Sequence, residues 1–155
     1  MNRAAVGADI IAALIACFGS TCEYQFVQAR SSIPAECNTI SLVWGRKRNE
    51  YEDDCGFTSC DRQVTTDLSI TITRCCVTSD AGLQFNIAAE ENETLCFLRD
   101  LEVLENCIEC TNWRQLSIDH AIDRISLSDT TPGTTRGGCM DATLSVRIVS
   151  TECCP

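Results

Sequence analysis

The chain carries 13 cysteines and one histidine in 155 residues, so sulfur chemistry is the first to weigh. Cys107-Ile108-Glu109-Cys110 has the spacing that lets two thiolates reach one tetrahedral zinc ion, and Cys55 with Cys60 offers a second pair. A structural zinc site normally sets both pairs in tight turns, whereas Cys107 and Cys110 fall at the end of a helical pattern. No metal or other cofactor is therefore expected. A thioredoxin-type role is less expected still, because that motif relies on a helix N-terminus to lower the thiol pKa. Cys55, Cys60, Cys107 and Cys110 remain candidates for disulfides. The odd cysteine count leaves at least one thiol unpaired or paired between chains. Free cysteine packs like a small hydrophobe, and in a reducing compartment core filling is the expected role of most of them.

Acid–base and nucleophilic chemistry has little to draw on. His120 stands alone, no Gly-x-Ser-x-Gly setting surrounds a serine, and Asp53-Asp54 sit in a charged stretch with no apolar surroundings to raise a pKa. No glycine-rich phosphate loop is present either, so the chain is not expected to be an enzyme. Gly45-Arg46-Lys47-Arg48 is the one basic cluster, followed by Glu50, Glu52, Asp53 and Asp54. A nucleic-acid surface would interleave aromatics over a wider basic face. Pairing of these charges locally, or with a neighbouring subunit, is the expectation. The balance of 12 Lys and Arg against 22 Asp and Glu gives a net charge of -10, which repels phosphate, so DNA near this protein should pass rather than stick.

The segment Leu14-Ile15-Ala16-Cys17 has the look of a lipoprotein acylation site, which would send the chain to a membrane surface. Against this, Arg3 is the only basic residue ahead of the apolar run and Asp9 interrupts it, at a cost of about 2.5 to 3.5 kcal/mol for a central carboxylate on insertion scales. The first helix is therefore expected to stay on the chain, Met1 included, and no run approaches the roughly 20 apolar residues of a membrane span. At helical spacing, Val6, Ile10, Ile11, Leu14, Ile15, Cys17 and Phe18 fill one half, while Ala5, Asp9, Ala12 and Ala16 fill the other; Gly19 then ends the helix. Cys17 is expected to be buried beside Leu14 and Phe18. The thin side of Ala5, Ala12 and Ala16 is expected nearest the sheet edge or a second subunit.

The remaining elements follow from periodicity. Cys22, Tyr24 and Phe26 alternate as a strand, as do Ile40, Leu42 and Trp44, a run expected to end in Gly45-Arg48 before an acidic loop from Asn49 to Asp61. Val64 to Val77 is the clearest strand, with Val64, Thr66, Leu68, Ile70, Ile72, Arg74 and Cys76 on one side. From Asn86, a plausible cap, to Cys110 the period turns helical, with Phe97, Leu98, Leu101, Leu104 and Ile108 on one face. Ala121–Leu127 and Ala142–Val149 give two more strands around the loop TTPGTTRGG. One domain over 1–155 is expected, an α+β fold in which a mostly antiparallel sheet of four to five strands is packed by an N-terminal and a central helix. The 45% hydrophobic content excludes a largely disordered chain.

The run Cys37-Asn38-Thr39-Ile40-Ser41-Leu42-Val43-Trp44-Gly45, the loop bearing Cys55, and Leu68-Ser69-Ile70-Thr71-Ile72-Thr73-Arg74-Cys75 resemble head-to-tail neck proteins of long-tailed phages of actinobacteria. The likeness continues through the acidic helix near Trp113 and a last hairpin with Pro132-Gly133-Thr134-Thr135-Arg136-Gly137-Gly138. It is most similar to the tail terminator, a small α+β protein whose hexameric ring caps the tail tube and joins it to the head. That resemblance implies a virion protein assembled in the bacterial cytoplasm, with the tail tube protein, head-side connector proteins and passing DNA as partners, and no membrane. Under it, Ala5, Asp9, Ala12, Ala16, Arg46, Lys47, Arg48, Pro132, Gly133 and Arg136 are candidate subunit or partner contacts. A head-side adaptor or stopper ring, and from a different class a lipid-anchored or secreted cysteine-rich binding protein, are the competing expectations.

Overall fold

The computed structural model describes residues 1–18, 24–29, 38–50, 61–75, 87–110, 113–132 and 139–153, with backbone alone at 29, 49, 50, 61, 62, 75, 87–90, 93, 110, 129, 131, 132, 152 and 153. Of the expected features, Cys55, Cys60, Asn86, Gly133 and Arg136 lie outside the described residues. Cys110 and Pro132 are described only as the last residues of their elements.

Helix α1 spans Arg3–Phe18 and is capped by Asn2, whose Oδ1 accepts from the N–H groups of Ala4 at 3.1 Å and Ala5 at 3.3 Å. It buries Val6, Ile10, Leu14 and Phe18, spaced at 4, 4 and 4 residues along one stripe. Strands β1 (Gln25–Ala29), β2 (Thr39–Glu50), β3 (Asp61–Cys75), β4 (Arg124–Pro132) and β5 (Cys139–Cys153) form one sheet in the order β1-β2-β3-β5-β4. Helices α2 (Ile87–Cys110) and α3 (Trp113–His120) lie between β3 and β4 in sequence.

The α+β architecture expected from periodicity is present. The sheet is mixed rather than wholly antiparallel, because β1 runs parallel to β2, with Gln25 opposite Thr39 and Ala29 opposite Val43. Three further differences have local causes. β2 does not run out in Gly45–Arg48: a register shift between Trp44 and Lys47 absorbs the irregularity, and pairing with β3 resumes to Glu50. A third helix stands where connection was expected; its eight residues give too little periodicity to stand out. The last two strands reach further than expected, β4 to Pro132 and β5 to Cys153.

Directly paired residues share a face, so Ile40, Ile72 and Ala142 form one row, and Leu42, Ile70 and Leu144 the next. These rows meet the buried stripe of α1 together with Phe97, Leu104, Cys107 and Ile108 of α2 and Leu116 of α3 in one core. Sixteen-residue α1 is held by this burial rather than by its own propensity. The sheet's second face carries serine and threonine, as in the row Ser41, Thr71 and Thr143, where the last two hydroxyls share a hydrogen bond of 2.9 Å. Among the described residues, none on that second face belongs to the core.

Candidate functional site

Chemistry-bearing side chains gather in four places, and each is set by the elements just described. The first is a polar cluster at the end of the sheet. Asp100, on α2, accepts a hydrogen bond of 2.5 Å from the Tyr24 hydroxyl at the entry to β1, and its same Oδ2 pairs with the Arg74 guanidinium near the end of β3. Burial and the adjacent carboxylate push the Tyr24 hydroxyl above its ordinary pKa. Hydrogen bonds to Tyr24 and Asp100 push the Arg74 guanidinium up as well, although burial alone acts the other way. The cluster keeps a charge pair and a neutral phenol together, which pins three elements. It offers no activated nucleophile.

The lone histidine is the second. His120 closes α3, and its Nε2 lies 2.6 Å from Asp9 Oδ2 on α1. A histidine at a helix C-terminus and a carboxylate from a neighbouring helix make a clamp between α1 and α3. Asp9, expected as a subunit contact, thus has a partner inside its own chain, though its side chain is still 55% exposed.

The third place is the cysteines. Cys17 was expected to be a buried thiol; it lies instead on the exposed side of α1, disulfide-bonded to Cys107 of α2, with 5.8 Å between their Cα atoms. Helical spacing put Cys17 at the margin of the apolar stripe, from which its sulfur reaches sideways to α2. This bond also takes Cys107 out of any thiolate pair with Cys110, and among the described residues no group of three His, Cys, Asp or Glu side chains could hold a metal. Cys139 is disulfide-bonded too, while Cys96 is a half-buried free thiol. No sequence signal marked Cys17 with Cys107, since the partners are 90 residues apart.

Surface charge and apolar exposure make the fourth. Arg46, Lys47 and Arg48 are exposed on the part of β2 that runs on past the last β1 pair at Val43, so they bristle from a strand edge rather than a loop. Charged side chains of this kind guard an edge against stray pairing. Arg48 pairs with Asp67 of β3 at 3.7 Å, and Arg147 of β5 reaches the same carboxylate at 3.3 Å; the side chains of the acidic run that follows in sequence lie outside the described residues. Beside them a groove of about 450 Å³ is lined by Asp67, Arg147, Ser69, Ser126, Ser128 and Ser145.

On α2, Glu91, Leu95, Leu98 and Glu102 recur at 4, 3 and 4 residues, and all four are exposed, Leu95 at 65% and Leu98 at 55%. Leu98 was expected in the core but is exposed; Cys107, on the opposite flank of the core stripe, is buried. On α1, Ile15 is likewise exposed, as are Ala12 and Ala16, while Ala5 is half-buried. The thin alanine side therefore does not face the sheet. The close approach to β1 is made by buried Gly7, where a Cβ would lie 2.6 Å from Gln28 Nε2. No protein-family model matches the chain, and no curated protein matches it.

Proposed function

We propose that this chain is a structural subunit of a phage neck, of the tail-terminator type, which assembles into a ring on the completed tail tube and joins it to the head. The observation that carries this reading is the exposed Leu95–Leu98 pair on an acidic helix. Single exposed leucines are ordinary, but two adjacent on one helix face, within a helix otherwise rich in glutamate, are what a subunit contact requires. The α+β fold and the charged strand edge agree with it, and the net charge of -10 suits a protein past which DNA must move. The tail tube protein and the head-side connector proteins are the proposed partners, in a virion assembled in the bacterial cytoplasm. A head-side adaptor or stopper ring draws on the same features.

A second reading is favoured by one observation: the Cys17–Cys107 disulfide and the bonded Cys139 suit an oxidising compartment, hence a secreted cysteine-rich binding protein. A lipid thioether on Cys17 competes for the sulfur that the disulfide occupies. Size-exclusion chromatography with light scattering, followed by negative-stain imaging, separates the readings. A hexameric ring with an open centre is expected, and a stable monomer at tens of micromolar overturns the neck reading.

A further inference from the structure

We propose that copies of this chain join head to tail, the acidic leucine stripe of α2 on one copy seating on the arginine rows at the far end of the next copy's sheet. The inference rests on the ring reading above and names the surfaces that would close such a ring.

The donor surface is Glu91, Leu95, Leu98 and Glu102. These positions follow the seam spacing of packed helices, and they turn well away from the core stripe of Phe97, Leu101, Leu104 and Ile108. Glu105 continues the stripe but is engaged by the Thr130 hydroxyl of β4. The apolar pair supplies burial, and the glutamates at either end supply charge that only a basic surface can satisfy.

The acceptor surface is found by following strand register. Arg48, Thr65, Val149 and Arg124 form one row across β2, β3, β5 and β4, and Asp67, Arg147 and Ser126 belong to the next row on the same face. Arg46 lies within the register shift next to them, while Lys47 pairs with Thr66 and belongs to the opposite face. Three of the chain's 12 basic residues, Arg48, Arg124 and Arg147, thus share one end of that face, with Asp67 between Arg48 and Arg147 and Asp123 next to Arg124. Arg48 and Arg147 keep 62% and 59% of their side chains exposed while sharing that carboxylate, so their remaining N–H groups face outward.

The two surfaces cannot meet within one molecule. Asp100, two residues from Leu98, is tied to Arg74 at one end of β3, and the arginine rows begin at Thr65 near the other end, roughly 30 Å away at about 3.3 Å per residue. Opposite charges at opposite ends make a contact that is heterologous and repeats from copy to copy, which closes into a ring when the rotation allows.

The test uses two charge-reversed proteins: one with Glu91→Lys and Glu102→Lys, the other with Arg124→Glu and Arg147→Glu, each confirmed folded by circular dichroism. Alone, each is expected to need at least tenfold more protein to assemble than the wild type. Mixed one to one, they are expected to assemble again, because each contact then pairs lysine with glutamate or glutamate with arginine. Assembly of the wild type should also weaken as salt rises toward 1 M. If either reversed protein assembles like the wild type, or if the folded mixture fails to recover, this interface is overturned while a wild-type ring leaves the ring reading standing. A wild type that stays monomeric overturns both.

Discussion

Cys17 and Cys107 join the last turn of α1 to the last turns of α2 across 90 residues of sequence. Cys107 is buried in the core, whereas Cys17 lies on the exposed side of its helix, so one end of the bond is open to reductant. In the chain-entropy picture a loop of this length is worth about 4 to 5 kcal/mol through the unfolded state. Replacing both residues with alanine is expected to lower stability by about 3 to 5 kcal/mol in urea unfolding. Reductant should shift the wild type in the same direction, and by more than it shifts the variant, which keeps the disulfide at Cys139. Equal midpoints for the two proteins would contradict the assignment.

The Tyr24–Asp100–Arg74 cluster sets a dependence at high pH. The Tyr24 hydroxyl is raised above its unfolded value near 10.0, so the folded state holds that proton where the unfolded chain has begun to release it. The contribution is complete below about pH 10 and is lost as pH rises through the folded value. Stability of the wild type should therefore fall more steeply above pH 10 than that of Tyr24→Phe, as read by thermal melts from pH 8 to 11. Parallel curves would refute it. Asp100→Asn removes the shared acceptor and should cost about 1 to 3 kcal/mol at pH 7.

Ala121 follows α3 in the left-handed region, at φ 51°, and the N–H of Ile122 returns to Ser117 O at 2.9 Å. This is the hydrogen bond of a helix end that glycine ordinarily supplies. Ala121→Gly relieves the backbone without disturbing buried Ile122, and a gain of about 0.5 to 1 kcal/mol is expected. A lower melting temperature would show that unfolded-state entropy outweighs the relief.

Gly45 lies inside the register shift of β2, where an added Cβ would stand 3.1 Å from the Asp67 carbonyl oxygen of β3. Backbone cannot swing aside as a side chain can. Gly45→Val should therefore cost about 1 to 3 kcal/mol. It should also disturb the neighbouring Arg48–Asp67 pair, visible as a chemical-shift change at Asp67. Unchanged stability would mean that the bulge has room to spare.

What was legible in the sequence is what burial writes into a repeating pattern. β3 announced itself because Val64, Thr66, Leu68, Ile70 and Ile72 all lose their water on one face, and Phe97, Leu104 and Ile108 did the same for α2. Leu98 and Ile15 misled because an apolar residue next to a core stripe looks alike whether it faces the core or a partner. The run through Gly45-Arg46-Lys47-Arg48 reads as a strand's end, since nothing in its charge reveals that β3 is still alongside. The parallel pairing of β1 and the Cys17–Cys107 bond are matters of long-range geometry, on which local pattern is silent. Of the candidate surfaces, the basic cluster was visible in the sequence. Its partners Arg124 and Arg147 came into view only through strand register.

The order β1-β2-β3-β5-β4 also bears on how the chain comes together in time. β2 with β3, and β4 with β5, are neighbours in sequence, whereas the central seam joins Asp61 to Cys153 and Cys75 to Cys139. Two hairpins can form locally within microseconds, but the seam between them must wait for α2 and α3 to be gathered in. Folding in the millisecond to second range is expected, with β3–β5 pairing as the late event. Stopped-flow refolding of a variant weakened at Ile70 or Leu144 would test it: unfolding should quicken while refolding changes little. Until the seam closes, β3 and β5 each present an open edge, and a chain made in many copies at once is most at risk of pairing with the wrong neighbour during that interval.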